Sequence, residues 1–330
     1  MTRWIIAGLA LLAGCASQPE AARDSTSLAP AALRAEREGY ALTPDSVRLW
    51  YRVVGEGRQT LLVNAANYFG RALDTLATPG RRVVYYDIRG RGKTDSVPPT
   101  KMGIAEFDAE DIDAVRTAVG ADSVALLGWS GGALAPVLYA VRHPERVTRL
   151  ILLTPVGPRW EPWWSGMRAN AARKVDTAAM AQLAAREKRG DFASDERALC
   201  REQARLALRT NWVDSTQWSR APDVCDSPNE WPSRYNDFVP RLLAKLGRFD
   251  YRAELPKLRA PLLVVHGELD NPPLGGSEEW VALAPSARLL VIRGVGHWPH
   301  YEKPDVTLGA LRAFLDGTWP RESVTVPPRP

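Results

Sequence analysis

The fold of this chain is indicated most clearly by the stretch Val124-Ala125-Leu126-Leu127-Gly128-Trp129-Ser130-Gly131-Gly132. A short apolar run leads into a G-x-S-x-G pattern at Gly128, Ser130 and Gly132, and residues 133–143 can continue it as a helix. The isolated pattern is also compatible with an ordinary glycine-rich loop. Between a buried strand and a helix it predicts a nucleophile elbow, a strained turn that lifts a serine hydroxyl above a parallel sheet. A Cβ at either glycine would collide where the two backbones cross.

Seven further runs have the composition of strands, and with the elbow strand they make eight. Helix-compatible segments alternate with them at 104–119, 133–143, 277–284 and 304–315. Continuously apolar strands that alternate with helices are typical of a parallel sheet covered on both faces. We therefore predict an α/β fold with a mostly parallel, eight-stranded sheet and helices on both faces. The seven runs are Gly39–Leu42, Val47–Val54, Thr60–Asn64, Val83–Tyr86, Val147–Leu153, Pro261–Val265 and Arg288–Ile292.

The alternation of strands and helices is interrupted between residues 156 and 249. This segment contains six tryptophans and two helix-like tracts, Thr177–Lys188 and Asp195–Leu208. An insertion at the carboxyl end of a sheet lies over the ligand crevice. Its tryptophans, Trp163 among them, either line a substrate pocket or fill the core of the insertion itself. The predicted parts are a core at 38–155 and 250–318, a helical cap at 156–249 and a flexible tail at 319–330.

The composition is that of a globular protein. Hydrophobic residues make up 45% of the chain and charged residues 25%, which allows a full core to be buried. The net charge of +5 is spread out, without a run of five or more like charges. Several basic residues lie between Arg81 and Lys93, but no aromatic stacking pattern accompanies them. Nucleic acid is therefore not an expected partner.

The first residues have the features of a secretory signal rather than of a folded domain. Arg3 supplies a positive charge, and the apolar segment Trp4–Leu12 is too short to span a bilayer as a helix. The sequence Leu12-Ala13-Gly14-Cys15 follows. It resembles the lipobox of bacterial lipoproteins; the alternative is a plain secretory signal with a chance cysteine.

The lipobox resemblance implies that residues 1–14 are removed and that Cys15 is lipidated. Residues 15–37 would then carry the lipid and act as a tether. Ala16 and Ser17 follow the cysteine rather than an aspartate, which by the same resemblance favours the outer membrane. We expect a protein of the bacterial cell envelope, held by its acyl chains on the periplasmic face of the outer membrane.

Two further cysteines, Cys200 and Cys225, can form a disulfide in an oxidising compartment. The closed loop would be 25 residues, and its lost chain entropy corresponds to roughly 3 kcal/mol of stability. The sequence does not show whether the two cysteines are close. Neither lies beside a histidine, so neither a metal site nor a thiol nucleophile is predicted.

A serine nucleophile needs a base to remove its proton and an acid to orient that base. The chain has four histidines, of which His297 lies in a glycine-rich loop after the last predicted strand. The other three are interpreted as structural. Asp270, in the turn after the preceding strand, is the predicted acid, and Glu268 is the alternative. Ser130, Asp270 and His297 are thus the predicted catalytic residues.

At this point the chain resembles the serine hydrolases of the α/β-hydrolase fold that carry a helical cap. The similarity extends from about residue 39 to 317. The order serine, acid, histidine is the order of that fold. The segment Asp87–Gly92 is similar to prolyl iminopeptidases and also to many esterases. The motifs that carry the resemblance are Asp87–Gly92, Gly128–Gly132, His143–Val147, His266–Asp270 and Gly296–His297.

The resemblance implies an oxyanion hole made by two backbone amides, those of Ala66 and Gly131. The family usually has His-Gly where this chain has Asn64-Ala65. A backbone donor needs no particular side chain, so the hole can survive this change, with Asn64 replacing the hydrogen bonds of the histidine. Asn67 would add a polar contact to substrate.

The sequence does not decide whether the bond that is cleaved is a simple ester or amide or the first peptide bond of a short peptide. The elbow reads Gly-Trp-Ser-Gly-Gly, whereas prolyl iminopeptidases commonly have Gly-Gly-Ser-Trp-Gly. Such a peptidase also needs a cap carboxylate for the substrate ammonium, for which Glu161 is a candidate, although an ordinary surface glutamate is the alternative. Trp129 either shapes the acyl pocket or packs beneath the turn.

We therefore expect a serine hydrolase that cleaves a carboxylic ester or amide through an acyl-enzyme. It would need neither a metal nor an organic cofactor, and its partner would be a small ester or a short peptide. The alternatives are an aminopeptidase of the prolyl iminopeptidase type, a perhydrolase or acyltransferase with the same triad, and a non-catalytic binding module of the envelope.

Overall fold

A computed structural model describes residues 36–98, 101 and 105–327. The predicted signal peptide, Cys15 and nearly all of the tether lie outside these residues. Within the described part of the chain, no helix is long and apolar enough to cross a membrane.

The sheet has eight strands in the order β1-β2-β4-β3-β5-β6-β7-β8. Strand β2 is antiparallel to both of its neighbours, and all other neighbouring pairs are parallel. This confirms the predicted α/β fold with a mostly parallel sheet. The strands are β1 Glu36–Leu42, β2 Arg48–Val54, β3 Gln59–Asn64, β4 Arg81–Tyr86, β5 Val124–Trp129, β6 Val147–Leu153, β7 Leu262–Gly267 and β8 Ala287–Ile292.

Helices cover both faces of the sheet, because alternate residues of each buried strand point to opposite sides. Leu126 of the elbow strand packs into a core cluster with Tyr139 and Trp280. Its neighbour Leu127 packs into a second cluster on the other face. The helices outside the cap are α1 Ala66–Phe69, α2 Ala105–Ala118, α3 Leu134–Arg142, α8 Leu274–Leu283, α9 Pro299–Glu302 and α10 Pro304–Leu315.

The cap has four helices, two more than the sequence predicted: α4 Trp163–Ala172, α5 Thr177–Lys188, α6 Glu196–Arg209 and α7 Pro232–Leu246. Helix α7 contains Pro240, and because an internal proline usually ends a helix, local sequence rules count against this segment. Leu183, Leu199 and Leu206 form a small core between α5 and α6.

A disulfide joins Cys200 of α6 to Cys225, with a Cα–Cα distance of 5.9 Å. Both cysteines are buried. The bond therefore ties α6 to the irregular segment that leads into α7. The segment that it holds includes Glu230, whose contacts are described below.

Residues 319–327, which belong to the predicted tail, contact the core. Val324 and Leu289 of β8 exchange two backbone hydrogen bonds of 2.8 Å. The Trp319 ring also packs against Phe314, with centroids 5.0 Å apart. Strand β8 lies at the edge of the sheet, where unpaired backbone groups are available to a passing segment.

Candidate active site

Ser130 follows directly after β5 and has a left-handed backbone conformation, with φ 54°. This conformation is costly for a non-glycine residue and is typical of strained functional turns. A Cβ at Gly128 would lie 2.7 Å from the Ala133 Cα, and one at Gly132 would lie 3.0 Å from the Asn64 amide nitrogen. The turn is therefore as crowded as the glycine pattern indicated, and it holds Ser130 at the carboxyl end of the central strands.

His297 and Asp270 meet at the same edge of the sheet, on the loops that follow β8 and β7. The His297 Nδ1 lies 2.9 Å from Asp270 Oδ1 and 3.0 Å from Oδ2. Both residues are buried, with 5% and 8% of their surfaces exposed. A buried carboxylate against Nδ1 fixes the ring so that Nε2 is the nitrogen left to act as a base. Glu268 instead accepts a hydrogen bond of 2.8 Å from the Gly294 amide.

The other three histidines have structural surroundings. His143 packs against the Tyr139 ring at 4.8 Å. His266 is buried with its Nδ1 2.9 Å from the Ser277 hydroxyl, and burial lowers the pKa of its ring. His300 is fully buried, and burial lowers its pKa to about 3. It is therefore a neutral ring in the core at any pH where the protein would work.

Trp129 packs beneath the turn. Its ring centroid lies 4.9 Å from that of His297, and its indole Nε1 donates a hydrogen bond of 3.2 Å to the His297 carbonyl. The Thr154 hydroxyl donates to the same carbonyl at 3.2 Å. Trp129 thus supports the histidine loop from below, which favours the packing interpretation over a role in shaping an acyl pocket.

The two amides assigned to the oxyanion hole lie in the first turns of short helices. Ala66 begins α1, and Gly131 belongs to the 3-10 turn Ser130–Ala133. Amides in a first turn have no acceptor within their own helix, so they are available to a ligand. The Asn64 side chain donates a 2.6 Å hydrogen bond to the Gly132 carbonyl and so ties β3 to the elbow.

The loop after β3 has an unusual conformation that buried groups hold in place. Ala65 is left-handed, with φ 60°. The Asn67 amide donates a 2.9 Å hydrogen bond to Asp87 Oδ1, and the Lys93 amide donates one of 2.8 Å to Oδ2. Burial raises the pKa of Asp87 to about 7, against the opposing effect of these two hydrogen bonds.

Glu230, which sequence reasoning missed, contributes a second buried carboxylate from the cap. It accepts hydrogen bonds of 2.9 Å from Arg91 Nε and from the Gly92 amide. It also accepts one of 3.0 Å from the Asn67 side chain, which is thus occupied by the protein rather than free for substrate. No local sequence signal marks Glu230, because its partners are more than 130 residues away.

The cap also contacts the loops that carry Asp270 and His297. The Asn211 carbonyl accepts a hydrogen bond of 2.9 Å from the His297 amide. The Asn271 side chain donates to Asn211 Oδ1 at 2.5 Å. On the core side, Glu302 accepts from the Gly296 amide at 3.0 Å. The loop that carries His297 is therefore held from both sides.

Two of the candidate substrate residues lie elsewhere. Glu161 is exposed and borders a surface cleft of about 810 Å³ whose lining includes none of Ser130, Asp270 and His297. The Trp163 ring covers α8, where a Cβ at Gly275 would lie 2.7 Å from it, and its Nε1 donates to Glu279. The structure thus does not bring either side chain to the elbow, and Trp163 packs the cap onto the core.

A cavity of about 320 Å³ lies between the cap helices. Tyr68 borders it, and the Tyr68 ring lies 5.0 Å from the ring of Trp129, the residue before Ser130. The cavity lining includes none of Ser130, Asp270 and His297. The described residues contain no group of three or more histidine, cysteine or acidic side chains that could hold a metal ion. The apolar lining of the cavity includes Met180, Leu183, Ala204, Ala207, Leu208 and Val224.

Known proteins resemble this chain over most of its length. The polyketide synthase ThaQ of Burkholderia thailandensis is 30% identical over 275 residues, which cover 80% of this chain but 12% of that longer protein. A proline iminopeptidase of Clostridium botulinum is 29% identical over 240 residues, covering 68% of this chain and 79% of the relative.

Solved structures share the fold. An esterase from Exiguobacterium antarcticum superposes with a TM-score of 0.61 at 19% identity, covering 84% of this chain and 99% of that one. The family model described as alpha/beta hydrolase fold matches residues 60–304. The chain therefore belongs to the α/β-hydrolase family and is a hydrolytic enzyme.

Proposed function

We propose that the protein is a carboxylic ester hydrolase that works through an acyl-enzyme on Ser130. The observation that carries the proposal is the pairing of the strained elbow serine, with φ 54°, and the buried His297–Asp270 hydrogen bond of 2.9 Å at the same sheet edge. A positioned base and an orienting acid are what a serine hydroxyl needs in order to become a nucleophile.

In the proposed reaction, His297 Nε2 takes the hydroxyl proton while Ser130 Oγ attacks the ester carbonyl carbon. The amides of Ala66 and Gly131 donate to the oxyanion of the tetrahedral intermediate. His297 then returns the proton to the leaving alcohol, and the acyl group stays on Ser130. Water, activated by the same ring, attacks the acyl-enzyme and releases the acid. Asp270 stabilises the imidazolium in both halves of the reaction.

An ester is favoured over the amino-terminal proline of a peptide by the charges of the cap. A substrate ammonium group needs a carboxylate that is not already neutralised. Glu230, buried beside Asn67, is paired with Arg91. Glu161 lies on a separate cleft. The cavity that Tyr68 borders has an apolar wall that would suit an uncharged acyl group, and Glu187 is the further carboxylate in its lining.

The test is a comparison of kcat/KM for nitrophenyl esters of increasing acyl length and for a proline arylamide. We expect the best ester to exceed the arylamide by about 100-fold or more, because Glu230, the buried carboxylate beside Asn67, is already paired with Arg91 and cannot also hold a free amine. The proline arylamide is included because a relative of this chain is named as a proline iminopeptidase. A preference for the arylamide would establish the peptidase, and no turnover of either would favour the binding module.

We also propose that the protein is anchored to the bacterial envelope through Cys15. Support comes from the segment Leu12-Ala13-Gly14-Cys15 behind an apolar stretch with a preceding arginine. Metabolic labelling with palmitate should mark the wild-type protein, and a Cys15→Ala variant should be unlabelled and recovered without the membranes. Labelling that persists in the variant would rule out this residue as the anchor.

A further inference from the structure

One cap residue reaches into the core beside the oxyanion loop. Glu230 is 5% exposed and belongs to the 3-10 turn Pro228–Glu230 of the cap. Its carboxylate is shared between Arg91, the Gly92 amide and the Asn67 side chain, at 2.9, 2.9 and 3.0 Å. A buried carboxylate is tolerated only when it is paired and hydrogen-bonded, so these donors and Glu230 depend on one another.

Arg91 shows that this contact is a docking point between cap and core. It lies on the loop after β4, and its guanidinium is covered by the rings of Tyr235 and Phe238 from α7, at 4.9 and 5.3 Å. Arg91 Nη2 also donates to the Tyr68 hydroxyl at 2.8 Å. Arg91 is therefore enclosed by cap residues, and its charge is balanced by a cap carboxylate.

Asn67 transmits this contact to the oxyanion hole because it is held at two points. Its backbone amide is fixed by Asp87 and its side chain by Glu230. The preceding peptide carries the Ala66 amide, and Ala65 before it has φ 60°, a conformation that persists only where its surroundings impose it. Without the Glu230 hydrogen bond, Asn67 keeps only the hydrogen bond from its backbone amide to Asp87, and we expect the strained Ala65–Ala66 peptide to shift.

We propose that Glu230 is a positioning residue for catalysis, which fixes the Ala66 amide through Asn67 and so makes the oxyanion hole depend on the docked cap. This inference rests on the proposed ester hydrolase function. Misplacing one oxyanion donor lowers kcat by about 10²–10³. Because that donor acts mainly on the transition state, substrate binding should change little.

The test measures kcat and KM for the best ester in three single variants, Glu230→Gln, Glu230→Ala and Asn67→Ala. It also measures them in the double variant that combines Glu230→Ala with Asn67→Ala. The amide of Glu230→Gln keeps an acceptor for Asn67 but loses the charge that balances Arg91. We expect kcat to fall by about 10-fold in Glu230→Gln and 100-fold in Glu230→Ala, with KM within about threefold of wild type. The Asn67→Ala loss should be non-additive with the loss in Glu230→Ala, since both remove the same clamp.

Asp226→Asn is the matched control, because Asp226 is an exposed cap carboxylate four residues earlier that pairs with Arg197 on the surface. It should keep wild-type kcat. The proposal is overturned if Glu230→Ala keeps kcat within twofold, if the change lies in KM alone, or if the two losses multiply. A wild-type enzyme that hydrolyses no ester and takes no fluorophosphonate overturns the proposed function and this inference together, whereas an active wild type with an unaffected Glu230→Ala overturns this inference alone.

Discussion

Ser130→Ala should abolish ester hydrolysis, with kcat lowered by about 10⁶-fold. The substitution removes the atom that forms the acyl-enzyme while leaving the elbow intact. The left-handed backbone at φ 54° costs alanine about as much free energy as it costs serine, because both residues have a Cβ. The substitution should therefore leave the fold unchanged. The measurement is kcat for the best ester, together with labelling of the protein by a fluorophosphonate probe, which should disappear.

Ser165→Ala provides the control, because Ser165 lies on cap helix α4 and bonds Glu161 in the separate surface cleft. It should keep both turnover and labelling. Turnover by the Ser130→Ala protein above a few per cent of wild type would mean that another group attacks the carbonyl, and labelling that persists would place the reactive nucleophile elsewhere.

Asp270→Asn should lower kcat by about 10⁴-fold while leaving KM nearly unchanged. The asparagine can keep a hydrogen bond to His297 Nδ1, but its amide can donate to that nitrogen and so stabilise the wrong tautomer. Nε2 would then carry the proton and could not accept another from Ser130. Kinetics at saturating ester measure the effect, and the thermal midpoint verifies that the variant is folded.

Glu268→Gln distinguishes the two acids of this loop. Glu268 was the alternative acid on sequence grounds, and its side chain accepts from the Gly294 amide. Glutamine can still accept that hydrogen bond, so activity should stay within twofold of wild type. The assignment of Asp270 is wrong if Glu268→Gln is as damaging as Asp270→Asn.

The three proposed catalytic residues could be predicted because each carries a local signal. Ser130 lies in a glycine pattern with a steric cause, and Asp270 and His297 each follow a strand whose carboxyl end must reach the same edge as the elbow. The neighbourhood of Trp129 could not be predicted, since its partners His297 and Trp298 lie more than 160 residues away. The sequence therefore left its role open.

The cap was the least predictable part for the same reason. Helix α7 contains Pro240, which local rules count against a helix. Glu230 has no periodic or motif context, and the ion pair with Arg91 spans 139 residues of sequence. Packing against distant segments, rather than local propensity, determines both features. Glu161 and Trp163 were singled out by residue type alone, which says nothing about where a side chain points.

The carbonyl of Asn211 has a practical consequence for making chimaeras within this family. Because it bonds the His297 amide, and Asn211 Oδ1 bonds the Asn271 side chain, the cap supplies part of the scaffold of the loops that carry Asp270 and His297. A cap taken from another hydrolase to change substrate range would therefore leave the His297 loop without one of its anchors and the Asp270 loop without another. Residues 210–211 and 227–230 should therefore stay with the core when other parts of the cap are exchanged, and Cys200 and Cys225 should be kept or replaced together.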